Sequence, residues 1–377
     1  MFIAKHRIKR SKSFFYQLIL VMTFFLSLVT DWYEILLFSL TGTLLIFFLD
    51  KLGKGIVLRE LIAFHSCFIC LVMPWVGYRL YTIENPLARM WMRYMPVSES
   101  TYFSFVLPAV AGFAVALCWP VRHGDIDDEG EYMYKYIARM KMVLDSKPQT
   151  GMHILGIGLI ASLITPFLPT SLQFIWNLLA WSSFAGILYI FFTHRFKHRI
   201  LILITFVGLI LEQAVHQGMF TIVAYMGITI FSFLFLNKRA SLWKKLSMFI
   251  VSAFLLILIQ SIKSNFRTLT WNQNYSGNKT ALFVDLLSRK LDDGVFSLFN
   301  AASFFPLYYR ANQGFNIGLV MRRFPAVEDF DNGNKLALDV AAAIIPRFLW
   351  PDKPKAGGKY NMKYFTGYNI QGYSTNV

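Results

Sequence analysis

Arg347 and Lys353 stand six positions apart in the segment Ala343-Ile-Ile-Pro-Arg-Phe-Leu-Trp-Pro-Asp-Lys-Pro354. Arg offers phosphate oxygens a fixed planar fork, and Lys offers them a compact point charge. Pro346, Pro351 and Pro354 fix backbone φ angles around the pair, which lowers the entropy lost in presenting both charges together. The same residues also suit a surface turn whose cations are solvated or pair with Asp352. Arg310, Arg322 and Arg323 are the next candidates for phosphate or sugar contacts. Vicinal Arg residues on a helix point about 100° apart, so only one of Arg322 and Arg323 need face a ligand. The aromatic side chains of Tyr308, Tyr309, Trp350, Tyr360 and Tyr364 suit stacking on sugar faces, and equally suit a membrane interface, where Tyr and Trp collect. Glu212 and His216 are four apart and share a face if their helix continues, an arrangement able to move a proton or simply to end a helix in polar groups. Asp339, eight residues before Arg347, could orient it, act as a base, or be a plain surface carboxylate.

Pro346-Arg347-x-x-x-Pro351-x-Lys353-Pro354 resembles the Pro-Arg-x-x-x-Pro-x-Lys-Pro signature in the large external loop of bacterial O-antigen and exopolysaccharide repeat-unit polymerases. The resemblance implies transfer of a glycan from one undecaprenyl-diphosphate carrier onto the non-reducing end of another carrier-linked unit, with inversion and without a metal or other cofactor. In that scheme Arg347 and Lys353 stabilise the departing diphosphate, Arg310, Arg322 and Arg323 assist with Tyr309 and Trp350 on the substrate, and one of His216, Glu212 or Asp339 is the base. It further implies lipid-linked oligosaccharides and membrane lipids as partners, with a chain-length regulator and a flippase in the same process. Related polymerases often have a small residue, Arg and Gly at the helix opening where this chain has Gln217-Gly218, so that Arg is missing. O-antigen ligases resemble the same architecture but are associated with a loop His, and the segment after residue 263 has none. A flippase or transporter is a third reading. It would place charged residues through the middle of several spans, whereas the apolar runs here are almost free of them.

The elements that must position these residues follow from composition. The chain has 377 residues, 56% of them apolar and only 15% charged, with a mean hydropathy of +0.48. That excludes a water-soluble globule and, with few cysteines and abundant aromatics, disulfide-scaffold and disordered classes. Cys67-x-x-Cys70 and Cys118 all lie in apolar runs, so packing explains them better than zinc or redox chemistry. Runs long enough to cross a bilayer fall at about 14–30, 33–49, 61–81, 102–121, 152–168, 172–192, 200–215, 220–236 and 246–262. The expected fold is therefore an all-α polytopic transmembrane bundle of about nine spans. Residues 1–263 form the bundle and 264–377 a large extracytoplasmic loop. The first run lacks a small-residue cleavage site and is expected to remain as an uncleaved helix.

With the N-terminus in the cytoplasm of a bacterial inner membrane, the inward connections hold twenty Lys and Arg, against three, Arg79, Arg89 and Arg93, in the outward ones before the ninth span. Much of the net charge of +16 is then topology, and nucleic acid is not needed to explain it. The segment 122–150 opens with the acidic run Asp125-Ile-Asp-Asp-Glu-Gly-Glu131 and continues as a basic and aromatic stretch. It suits either a helix lying on the inner membrane surface or a structural connector. In the terminal segment the apolar pieces 281–287, 295–309 and 336–350 are too short to span and read as interfacial helices, with Pro346 and Pro351 interrupting the last. The sequence stops at Gly372-Tyr-Ser-Thr-Asn-Val377 without a final helix or positive tail, so a longer chain is expected.

Overall fold

The computed structural model describes residues 2–54, 57–119, 129–193, 196–218, 220, 240–273, 275–346, 349–354 and 358–369. Helices dominate, and no strand occurs among the described residues. In chain order they are α1 (Phe2–Val29), α2 (Tyr33–Lys51), α3 (Leu58–Leu80), α4 (Pro86–Met90), α5 (Glu99–Cys118), α6 (Glu129–Ser146) and α7 (Gln149–Ile164). Then follow α8 (Thr170–Phe192), α9 (Arg199–Gln217), α10 (Leu242–Arg267), α11 (Lys279–Asp292), α12 (Ala301–Ala311), α13 (Gly314–Arg323), α14 (Asn334–Ile344) and α15 (Gly358–Thr366).

Seven stretches among the described residues are long and apolar enough to cross a bilayer: Tyr33–Lys51, Leu58–Leu80, Glu99–Cys118, Gln149–Phe167, Leu172–Phe192, Arg199–His216 and Leu242–Trp271. They coincide with the second to seventh and the ninth of the expected runs. The first expected run is the shorter apolar part of α1, Ser13–Val29. The eighth, apart from Phe220, lies outside the described residues. The chain is an all-α, multi-span membrane protein.

It divides into two compact units. The first combines Met1–Phe48, Leu58–Pro120 and Phe299–Val377; the second combines Leu49–Val57 with Val121–Leu298. The segment after residue 263, expected as one loop, is thus shared: α11 belongs to the second unit and α12 to α15 to the first.

In the first unit, stripes at three- and four-residue spacing bury Leu37, Leu40 and Leu44 of α2, Ala63, Cys67 and Leu71 of α3, and Phe103, Leu107, Ala111 and Ala114 of α5 in one core. Cys67 and Cys118 are buried and unbridged in that core, as the packing reading expects. Pro74 cannot donate to the carbonyl four residues before it. α3 takes a π-helical turn over Phe68–Val72, and the Tyr102 hydroxyl donates instead to the Cys70 carbonyl at 2.7 Å. α12 and α13 dock where α3 ends and α5 begins, at glycines that leave no room for a side chain. A Cβ on Gly314 would lie 2.2 Å from Pro74 Cγ and from the Tyr102 hydroxyl, one on Gly77 2.7 Å from the Tyr308 hydroxyl, and one on Gly318 2.8 Å from Pro96 Cγ.

In the second unit, α7 and α8 form a hairpin whose backbones touch. A Cβ on Gly158 would stand 2.4 Å from the Ser183 nitrogen, and one on Gly186 2.5 Å from the Leu155 nitrogen. In lipid, where burying an apolar surface gains little, such close small-residue packing is what holds helices together. α9 closes with Gly218 at φ +63, the left-handed conformation that glycine adopts without strain. Beyond it Phe220, Phe266 and Phe283 pack as a ring cluster, with α10 and α11 contributing the last two.

Candidate functional site

The cations must be sorted before any is assigned to a ligand. Each helix end leaves carbonyls without an intrahelical donor and carries partial negative charge, so a Lys or Arg there is stabilising, most of all where water is scarce. Several basic side chains do this work. Buried Lys245 donates to the carbonyls of Leu49 at 2.9 Å and Leu52 at 2.6 Å, in and just beyond the last turn of α2. Arg59 reaches the Trp119 carbonyl at the end of α5, and Arg199 the Phe191 carbonyl at the end of α8. At the end of α9, Arg267 donates to the Gly218 carbonyl at 2.8 Å and Lys279 to that of His216 at 3.3 Å.

Lys353 belongs to this group. Its ammonium donates to the carbonyls of Ala342 at 2.6 Å and Ile345 at 2.9 Å, capping the last turn of α14. The turn is closed again through its backbone, since Leu349 and Trp350 each donate their N–H to the Pro346 carbonyl at 3.1 Å and Lys353 donates to the Trp350 carbonyl. Arg347 lies outside the described residues. The described residues on either side of it are therefore fixed to each other and to α14, and the lysine expected to share phosphate binding is the fastener. Trp350 is half-buried within this turn.

Asp339 of α14 pairs with Lys335, whose ammonium also reaches Asn361 of α15 at 3.3 Å. Arg322 and Arg323 diverge as helical geometry demands. Arg322 is exposed; Arg323 is half-buried, pairs with Glu328 at 2.9 Å and leaves its buried Nε without a hydrogen-bond partner. Tyr364 packs with Phe324 and Phe365, and Tyr360 is exposed. Glu212 and His216 lie on a helix that does continue, both exposed, in the second unit. Asp339 and the Pro-rich turn belong to the first unit.

The most ordered chemistry in the first unit surrounds the docked α12. Tyr81 and Tyr308 stack with ring centroids 4.2 Å apart. The Tyr81 hydroxyl donates to the Ala301 carbonyl at 2.8 Å and that of Tyr308 to the Arg93 carbonyl at 2.9 Å. Burial pushes the Tyr308 phenol up to about 12, against the smaller opposing influences of Asn312 and Arg93, and burial also raises Tyr81. The Arg93 guanidinium lies over the rings of Tyr309 at 4.2 Å and Phe315 at 4.6 Å and donates to the Tyr309 hydroxyl at 2.8 Å. Exposed Trp91 meets Tyr309 edge-on, and exposed Arg310 follows in the chain.

At the same end, Arg79 in the last turn of α3 binds Glu99 through two bonds of 3.0 Å and also pairs with Glu34. Trp75 donates its indole N–H to Glu34 at 2.9 Å. Asp31, Glu34, Arg79 and Glu99 border an open depression. Sequence reasoning missed Arg93, Trp91, Glu34 and Glu99. Arg79 and Arg93 register there as charges that set topology, and their partners are 20 to 216 residues away. The one available signal was that all three outward Arg residues crowd into one short connection with Trp and Tyr.

An all-helical membrane protein with a cation- and aromatic-rich cap at one end of its first unit is the class so defined. The chain belongs to the family described as Domain of unknown function (DUF8712), whose model matches residues 131–367. No curated protein matches it, and no solved structure does.

Proposed function

We propose that this protein is a bacterial inner-membrane glycosyltransferase that joins oligosaccharide units carried on undecaprenyl diphosphate. The observation that carries the reading is the docking of α12 and α13 onto the end of the first unit marked by the connection 81–98, away from Arg59 and Trp119. By the distribution of basic residues that end is the extracytoplasmic one, where carrier-linked units would be met. Exposed Arg310 and Arg322 and the Arg93–Tyr309–Trp91 surface offer phosphate and sugar contacts there. Arg347 belongs by sequence to the Pro-rich segment whose described residues Lys353 fastens to α14.

The chemistry asks for little beyond this. Diphosphate departs readily once its charge is neutralised, and the acceptor hydroxyl must lose a proton to one base. Within the first unit, Glu34 and Glu99 join Asp339 as candidates for that base. Lys353 acts by holding the turn.

Gene deletion followed by gel separation of surface glycans tests the reading. Single repeats in place of long chains support a polymerase. Carrier-bound polymer identifies a ligase, repeats retained inside identify a flippase, and an unchanged glycan profile overturns all three. Arg347→Ala should remove long polymer at unchanged protein abundance, because losing one oriented charge-stabilising donor costs about 10²–10³ in rate.

A further inference from the structure

α6 ends at Ser146, and α7, the start of the candidate span Gln149–Phe167, follows after two residues. The junction is fixed at the membrane face. Tyr189, one turn before the end of the span Leu172–Phe192, donates its hydroxyl to the Lys147 carbonyl at 2.9 Å. Its ring fits because position 151 is glycine, where a Cβ would lie 2.9 Å from Tyr189 Cδ1. The C-terminal end of α6 is thereby held at the level where two spans leave the bilayer.

From there α6 shows a partly exposed apolar stripe. Tyr136, Met140 and Val143, at helical spacings of four and three, are 50%, 42% and 58% exposed, whereas Ile137 on the flank that packs inward is 7% exposed. Lys135 and Arg139 are exposed along one border of the stripe, each one position before Tyr136 and Met140 and so about 100° around the axis. Between 135 and 147 the chain carries Lys135, Arg139, Lys141 and Lys147 against a single acid, Asp145. Apolar side chains bordered by cations, on a helix tied to the bilayer surface, match the boundary between acyl chains and anionic headgroups.

We propose that α6 is an anionic-phospholipid-binding helix that lies in the headgroup layer, with Tyr136, Met140 and Val143 in the acyl boundary and Lys135 and Arg139 on lipid phosphates.

The test uses the full chain with Cys67, Cys70 and Cys118 replaced by Ala, carrying one fluorophore at position 138, 140 or 143. It is reconstituted in phosphatidylcholine nanodiscs with or without phosphatidylglycerol, and immersion is read by quenching from brominated lipid. Labels at 140 and 143 should be quenched and the label at 138 should stay in water, which also reports that the helix is folded. Omitting phosphatidylglycerol should lower the immersed-to-free ratio, as should the K135Q/R139Q pair, by roughly fivefold for each charge removed. Labels at 140 and 143 exposed to water in every disc would overturn the proposal, as would quenching indifferent to lipid charge or labels shielded from both water and lipid by protein. None of these readouts depends on glycosyl transfer.

Discussion

Lys353 shows why residue type alone underdetermines chemistry. A guanidinium or ammonium is attracted to phosphate and to an orphan carbonyl for the same electrostatic reason, and only the 2.6 and 2.9 Å contacts with α14 decide for the second. Lys353→Met should leave two carbonyls without a donor and weaken the turn by about 1–3 kcal/mol. The measurement is hydrogen exchange or limited proteolysis across 342–354, and unchanged protection would remove the fastening role. Tyr308 gives a pH test of the docked cap. Its phenol ionises near 12 in the folded protein against an ordinary 10.0, so the folded state holds the proton more tightly. That contribution is complete below pH 10 and disappears as pH rises from there towards 12. Tyr308→Phe should abolish this component of the alkaline loss of stability; an identical alkaline profile in the variant would exclude it.

At the scale of elements, the spans were legible because a predominantly apolar stretch of about twenty residues leaves the backbone no alternative to a helix in lipid. Helix-to-helix fit was not. Gly314, Gly77 and Gly318 read in the sequence as ordinary glycines, yet each is the place where another backbone or ring arrives. Gly314→Ala should destabilise by about 1–3 kcal/mol through overpacking against Pro74 and Tyr102. Gly156→Ala, with nothing within 4 Å of its Cβ, should be neutral or gain up to about 1 kcal/mol from helix propensity. Thermal unfolding in detergent compares the two, and equal shifts would refute the close approach. The candidate site was legible only in part. The Pro-rich turn, Arg310 and Tyr309 announce themselves by composition, but Arg93 joins Tyr309 across 216 residues and Arg79 joins Glu34 across 45. No local pattern encodes those separations.

At the scale of the whole molecule, positive charge has two tasks. On the orientation proposed above its sidedness sets the topology, and part of it closes helix ends. Periplasmic-active reporters fused near residue 330 should be active, and those fused near 145 inactive; the opposite pattern would overturn the orientation. The Lys245 contact has a consequence for biogenesis. The carbonyls that finish α2 wait for a donor 196 residues further along. At about 5–20 residues per second that interval is roughly 10–40 s of synthesis. During that time the freshly inserted second helix is without this cap, and its last carbonyls are left to water or lipid headgroups until α10 emerges from the ribosome.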